Sequence, residues 1–359
     1  MKNRSVQTLR FNPREKRTHK TLRQSRLPAD KSQHILQEHP LTSVHVLMPV
    51  PLPALIINAL ERDFTLHQLW RARDPDALLQ RIAPDVRAIA TGVAILAEGM
   101  NYPISATLMA RFPNLEIVAN LGVGHDNIDT AHAAAKGIRV TNTPDVLTEE
   151  TADTAFGLLL NTVRQFPAAE RYLRAGHWLE KPFPLTASLR GRTLGILGLG
   201  RIGKAIARRG EAFGLAIAYH NRRPVPDVGW RYCDSALELA RTCDILMVAV
   251  PGGGETSKII DANLLSALGP DGILINIARG SVVDEPALIA ALQNRTILAA
   301  GLDVFEKEPQ VPQALIDMDH VVLLPHVGSA STATRDAMNQ LVIDNLLAWK
   351  HGEKLLTPV

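Results

Sequence analysis

The amino-acid sequence predicts an α/β protein of two doubly wound parallel-sheet domains with a working cleft between them. Three observations point there. Short apolar runs alternate with helix-like segments from Ser43 onward. A second such series starts afresh at Thr193, behind a long helical stretch. The chain's 359 residues also exceed the usual size of one core.

Taken in order, residues 1–42 are expected to form a disordered basic tail. Residues 1–31 carry ten Lys or Arg against two Asp or Glu and few large apolar groups, too little burial to offset ordering entropy. Such a stretch suits an organelle-targeting peptide, a nucleic-acid arm or an inert extension. The remainder holds 29 basic against 34 acidic residues, so the body is mildly acidic and a nucleic-acid partner is not expected. Strands follow at HVLMPV (45–50), VRAIATG (86–92), LEIVANLG (115–122) and IRVTNTP (138–144), with helices at PALIINALE and ISATLMARF. A long helix is predicted from Thr148 to about Arg164, its start capped by Thr148 with Glu150 and Thr151.

From Thr193 the strands TLGILG, LAIAYH, DILMVAV, GILINIA, ILAAGLDV and VVLLPH alternate with helices. A final helix over about 331–350 repeats Ala333, Met338, Leu341, Val342 and Leu346 at helical spacing. The expected domains are 43–147 with 332–359, and 148–331. No run approaches the roughly 18 apolar residues that cross a bilayer, and no signal-peptide core follows the charged start, so a cytoplasmic protein is expected. Cys233 and Cys243 lack metal-ligand spacing and are expected as reduced thiols, with no metal site.

Gly198-Leu199-Gly200-Arg201-Ile202-Gly203 has G-x-G-x-x-G spacing between a predicted strand and a predicted helix. Gly198 permits a tight turn, Gly200 a close approach of backbone to a pyrophosphate, and Gly203 the packing of helix on strand, which together predict a Rossmann dinucleotide site. An NAD site presents Asp or Glu to the ribose at the end of the next strand. Here that position reads His220-Asn221-Arg222-Arg223. Two guanidinium groups and no carboxylate predict a grip on a 2′-phosphate, hence NADPH over NADH.

Arg279, Glu308 and His326 stand at the carboxyl ends of late strands, where such sheets bind ligands. Each alone suits a plainer role: a turn cation, a surface acid before Pro309, a structural histidine after Pro325. Together with GVGHDNID (122–129), NTPDVLTEETAD (142–153), INIARGSVVDE, GLDVFEKEP and LLPHVGS, the chain resembles the D-isomer-specific 2-hydroxyacid dehydrogenases over essentially all of residues 43–359. Its ending NLLAWKHGEKLLTPV and Arg-bearing turn look most like their NADPH-preferring glyoxylate, hydroxypyruvate and hydroxyphenylpyruvate reductases, and no C-terminal regulatory domain like that of many phosphoglycerate dehydrogenases is expected. VPGGGETSK (250–258) departs from the family's more usual Pro-Leu-Thr pattern.

The resemblance implies a Rossmann domain beside a smaller flavodoxin-like substrate domain, and a homodimer through the dinucleotide domain. It implies Arg279 on the substrate carboxylate and keto oxygen, backbone N–H groups of Val123 and Gly124 on the carboxylate, and His326 as general acid with Glu308 favouring its imidazolium. Asp303 resembles a contact to the nicotinamide carboxamide, and Thr151 a residue near that ring. A glutamate partner, where the formate dehydrogenase branch has Gln, points to proton transfer onto a substrate oxygen. The expected reaction is NADPH-dependent reduction of a small 2-oxo acid to a D-2-hydroxy acid. Two alternatives stay open: an NAD(P)-dependent dehydrogenase of another D-2-hydroxy acid (hydroxyphenylpyruvate, lactate or phosphoglycerate type), or a dinucleotide-sensing, corepressor-like binding protein.

Overall fold

A computed structural model describes residues 43–92 and 102–359. The expected basic tail, 1–42, lies outside the described residues. The elements run β1 (Val44–Met48), α1 (Ala54–Leu60), β2 (Phe64–Gln68), α2 (Pro75–Ile82), β3 (Val86–Gly92), α3 (Ala106–Met109), β4 (Ile117–Leu121), α4 (Thr130–Ala135) and β5 (Arg139–Thr141). Then come α5 (Thr148–Arg164), α6 (Phe166–Arg174), β6 (Thr193–Leu197), α7 (Arg201–Ala212), β7 (Ala216–His220), β8 (Arg231–Tyr232), α8 (Ala236–Thr242), β9 (Ile245–Val248) and α9 (Ala262–Leu268). The chain closes with β10 (Ile273–Asn276), α10 (Glu285–Gln293), β11 (Ala299–Leu302), α11 (Gln313–Ile316), β12 (Val321–Leu323) and α12 (Thr332–Lys350).

Two all-parallel sheets result, one ordered β2-β1-β3-β4-β5 and the other β12-β11-β10-β9-β6-β7-β8. The long apolar runs of β6, β9, β10 and β11 follow from burial on both faces. Alternation along each strand feeds two separate cores: Leu246, Val248 and Leu274 pack toward α8, α9 and α10, while Ile245, Met247 and Ile275 pack toward α5 and α7. The first sheet does the same. Leu47, Ile89 and Val118 face Leu79, Leu108 and Ala133, whereas Val46, Ala88 and Ile117 face α1 and Met338, Val342, Leu346 and Trp349 of α12. The final helix thus returns to the first sheet.

The second sheet's order reverses at β6, which has β9 on one side and β7 on the other. Helices leave on opposite faces there and open a crevice at the strands' carboxyl ends. That crevice lies beside the glycine turn after β6, and the first sheet's loops after β4 and β5 form its other wall.

Local expectations needed correction in two places. α5 begins where predicted, but its N-cap is Leu147 and no side chain caps it. Leu147 is buried in the first sheet's core, so tertiary burial fixes the helix start instead of a capping box. Glu150 turns away from its own helix end and accepts hydrogen bonds from Ser331 Oγ (2.9 Å) and Thr334 Oγ1 (3.3 Å) at the start of α12. The helix expected over ISATLMARF is only four residues of α-helix, Ala106–Met109. β2, α2, α6 and β8 had no sequence prediction.

Candidate active site

The glycine turn is built as its spacing requires. Gly198 has φ +100°, and a Cβ there would sit 2.7 Å from the Ala249 carbonyl; at Gly203 it would sit 2.2 Å from Gly198 O. At Gly200 a Cβ would meet nothing within 4 Å, and as N-cap of α7 this residue offers no side-chain cap. The first N–H groups of α7 therefore have an open approach for an anion, the property a pyrophosphate site needs. Asn221 Oδ1 accepts from Leu199 N–H at 2.6 Å and ties the end of β7 to the turn. Arg201, the turn's own cation, pairs with Asp145 of the other wall at 2.7 Å, and Ile202 also lines the cleft.

At the ribose end, the His220 ring is fixed by Nδ1 donating to Cys233 O at 2.8 Å. Arg222 and Arg223 follow on the exposed surface. Arg222 Nη1 donates to Glu255 Oε2 at 2.9 Å, both groups largely in solvent. The two cysteines are free and buried, and burial pushes the Cys243 thiol up to about 12.

A cleft of about 430 Å³ gathers Val123, Gly124, Thr151, Arg279, Asp303 and His326, residues far apart in sequence. Glu308 stands behind His326, its Oε2 accepting from Nδ1 at 2.8 Å and its Oε1 from Phe305 N–H at 3.0 Å. His326 sits in left-handed backbone, φ +54°, which costs a non-glycine residue roughly 1–2 kcal/mol. Asp303 offsets that cost. It is 1% exposed, and its two oxygens accept from Val327 N–H (2.7 Å) and Gly328 N–H (2.8 Å), clamping the turn just after the histidine. Burial raises the Asp303 carboxyl above the usual range despite these bonds.

Burial alone would also raise the Glu308 carboxyl, but the bond to His326, that ring's charge, the Phe305 amide and Arg279 hold it below the usual carboxylate range. A depressed folded pKa contributes stability in full above the unfolded value, about 4.3, and that stability is lost as pH falls through the folded value. The melting-temperature gap between wild type and Glu308→Gln is therefore expected to be widest near neutral pH and to close on acidification. Thermal scans across that range check it; a gap independent of pH would detach Glu308 from the ion pair.

Arg279 is held on four sides. Nε donates to Asp126 Oδ1 at 3.1 Å and Nη1 to Ala278 O at 2.8 Å. A Cβ on Gly124 would lie 1.8 Å from Nη2, and one on Gly252 2.9 Å from Cγ. Gly252 explains part of the unusual VPGGGETSK stretch: it makes room for the arginine. Buried Asn276 shapes the turn itself, donating to Arg279 O (2.9 Å) and accepting from Ala278 N–H (3.0 Å).

Opposite, Asn142 Nδ2 donates to Val123 O (3.0 Å) and Asn120 Nδ2 to Gly124 O (2.9 Å). With those carbonyls turned away, the N–H groups of Val123 and Gly124 donate to no described residue. Two adjacent open amides facing an arginine suit a carboxylate.

Asp126, Asn276 and Arg335 are site residues that the sequence reading did not single out. Asp126 lies inside the very segment quoted for Val123 and Gly124. Arg335, on the first turn of α12, lines the cleft with its pKa lowered by burial, and makes no ion pair with a described residue. Among the described residues, no group of three or more His, Cys, Asp or Glu is placed to hold a metal, and no helix is long and apolar enough to cross a membrane.

Comparison with known proteins agrees with this geometry. Residues 156–328 match the D-isomer specific 2-hydroxyacid dehydrogenase NAD binding domain. The chain is 45% identical to glyoxylate/hydroxypyruvate reductase A of Arabidopsis thaliana, covering 89% of this chain and 100% of that protein. It is 43% identical to hydroxyphenylpyruvate reductase of Plectranthus scutellarioides, with the same coverage. Among solved structures, the NADPH-dependent glyoxylate/hydroxypyruvate reductase of Sinorhizobium meliloti in complex with NADP and malonate is 50% identical at a TM-score of 0.80, over 88% of this chain and 96% of that one. The chain therefore belongs to the D-isomer specific 2-hydroxyacid dehydrogenases, oxidoreductases that interconvert 2-oxo and 2-hydroxy acids with a nicotinamide dinucleotide.

Proposed function

We propose that this enzyme is an NADPH-preferring reductase of small 2-oxo acids, of the glyoxylate and hydroxypyruvate type, forming D-2-hydroxy acids. The observation that carries the reading is the meeting of Arg279, two open amides and the His326–Glu308 pair in one cleft beside the glycine turn. The Val123 and Gly124 N–H groups take the substrate carboxylate. Arg279 bridges carboxylate and keto oxygen and stabilises charge developing on that oxygen. His326 donates its Nε2 proton there, with Glu308 on Nδ1 keeping the ring oriented. A reduced nicotinamide dinucleotide, when bound, would supply a hydride for C2, so that one hydride and one proton convert the oxo acid to the hydroxy acid. Thr151 and Asp303 line the same cleft and would border that ring.

The preference for NADPH rests on Arg222 and Arg223 standing where a carboxylate would serve NAD. We further propose that residues 43–147 with 332–359 and residues 148–331 move as two domains about the crossings at α5 and α12, closing the cleft on the substrate. A cytoplasmic homodimer through the larger domain is part of the same reading. α6 buries no residue of its own, and Trp178, Leu179 and Leu185 beyond it are exposed, which supports an intersubunit face there.

The test is a panel of glyoxylate, hydroxypyruvate, hydroxyphenylpyruvate, 2-ketogluconate and pyruvate with NADPH and with NADH. Oxidation of NADPH with a small 2-oxo acid above about 1 s⁻¹ is expected, within the ordinary range of enzymes. Chiral products should be D. Absence of turnover with every member would reject the reading.

A further inference from the structure

Arg279 follows β10 of the second sheet, while Asp126 lies in the loop after β4 of the first sheet, 153 residues away. The two meet across the cleft with side chains about three-quarters buried. We infer that Asp126 is a positioning residue for the reaction: from the opposite wall it fixes the plane of the Arg279 guanidinium, so that the arginine is aimed at substrate. This inference rests on the reading of Arg279 as the substrate anchor.

Counting donors supports it. A guanidinium has five N–H groups. Nε–H goes to Asp126 and one Nη1–H to the carbonyl of neighbouring Ala278. Three remain, one on Nη1 and both on Nη2, and Nη2 lies over Gly124, beside the two open amides. A 2-oxo acid presents carboxylate and keto oxygens along one edge, which those donors match. With the Ala278 tie alone, the group can swing about its side-chain torsions; the second tie, at the other end of the fork, removes that freedom. The missing Cβ atoms of Gly124 and Gly252 clear a slot for this one orientation, and a Cβ on Gly252 would crowd both partners, falling 2.9 Å from Arg279 Cγ and 3.2 Å from Asp126 Oδ2. Asp126 also carries an opposing charge, which weakens the pull of Arg279 on an anion. Aim and charge can therefore be separated by substitution.

Asp126→Ala loses the aim. KM for glyoxylate is expected to rise roughly 10- to 100-fold, with a smaller fall in kcat and NADPH affinity unchanged, in line with the cost of misplacing a reacting group by about 1 Å. Asp126→Asn keeps an acceptor for Nε–H and removes the charge, so its KM should equal or fall below that of wild type. In an Arg279→Lys background, which lacks the planar fork, Asp126→Ala should cost less than about twofold more. Should the alanine variant fail to fold, Asp126→Ser enters the same cycle. The Kd for oxalate in the presence of NADPH gives a readout independent of turnover and should follow the same order. Losses that add in the double variant, or an asparagine variant no better than alanine, would overturn the role. Oxalate binding wild type but with unchanged Kd in Asp126→Ala would overturn it while leaving the anchor intact; failure of wild type to bind oxalate would overturn the anchor reading and Asp126's role with it.

Discussion

His326→Ala is expected to lower kcat about 10²- to 10⁴-fold while leaving the Kd for NADPH close to wild type, because in the proposed mechanism the ring delivers a proton and the glycine turn binds the cofactor. The substituted position is also relieved of no constraint: φ +54° remains imposed by Asp303 on the following amides. Folding should survive, since the clamp uses backbone groups. Arg279→Ala should fail differently, with kcat lowered and KM for the oxo acid raised, because both anchoring and charge stabilisation go. Steady-state kinetics with a direct NADPH titration separates the two. Turnover by His326→Ala within tenfold of wild type would remove it from the acid role.

The second large effect concerns the cofactor. Replacing both Arg222 and Arg223 by alanine should reduce the NADPH-over-NADH ratio in kcat/KM by about tenfold to a hundredfold, since charge-assisted hydrogen bonds are worth roughly 1.5–3 kcal/mol. The contact of Arg222 with Glu255 sharpens this expectation. An exposed pair of that kind is weak and screened by salt, so a 2′-phosphate displaces it easily. Even so, Glu255 competes for the cation, and Glu255→Gln should strengthen NADPH binding modestly while leaving NADH unaffected. A double arginine variant with unchanged preference would mean that another group reads the ribose.

The second sheet was legible because burial on both faces leaves strands as unbroken apolar runs, and the glycine turn because tight backbone geometry at Gly198 and Gly203 leaves no room for a side chain. β2, Phe64–Gln68, was not: its edge position buries only Phe64, and Thr65, His67 and Gln68 read as loop. No residue of α6 is fully buried, so its pattern had no core to point to. Arg279, Glu308 and His326 stand at strand ends, but each alone suited a plainer role; the motifs around them, taken together, singled them out, and the fold lines one cleft with Arg279 and His326 and sets Glu308 behind the histidine. Asp126 and Arg335 escaped notice for a different reason. Each gains its meaning from a neighbour that only the fold supplies, Asp126 from an arginine in the other sheet and Arg335 from a cleft wall made by the first turn of α12. The capping of α5 was misread because a core leucine outweighed a local hydrogen-bond pattern.

The bonds from Ser331 and Thr334 to Glu150 fasten one passage of the chain between the sheets to the other; under the proposed two-domain motion the two passages would share a single pivot. This bears on how such proteins can be recombined. A graft that exchanges the larger lobe with a relative's, cut at the start of α12, would take Glu150 and Ser331 with the insert and leave Thr334 behind. Moving the seam beyond Thr334 keeps all three residues, and both bonds, from one parent.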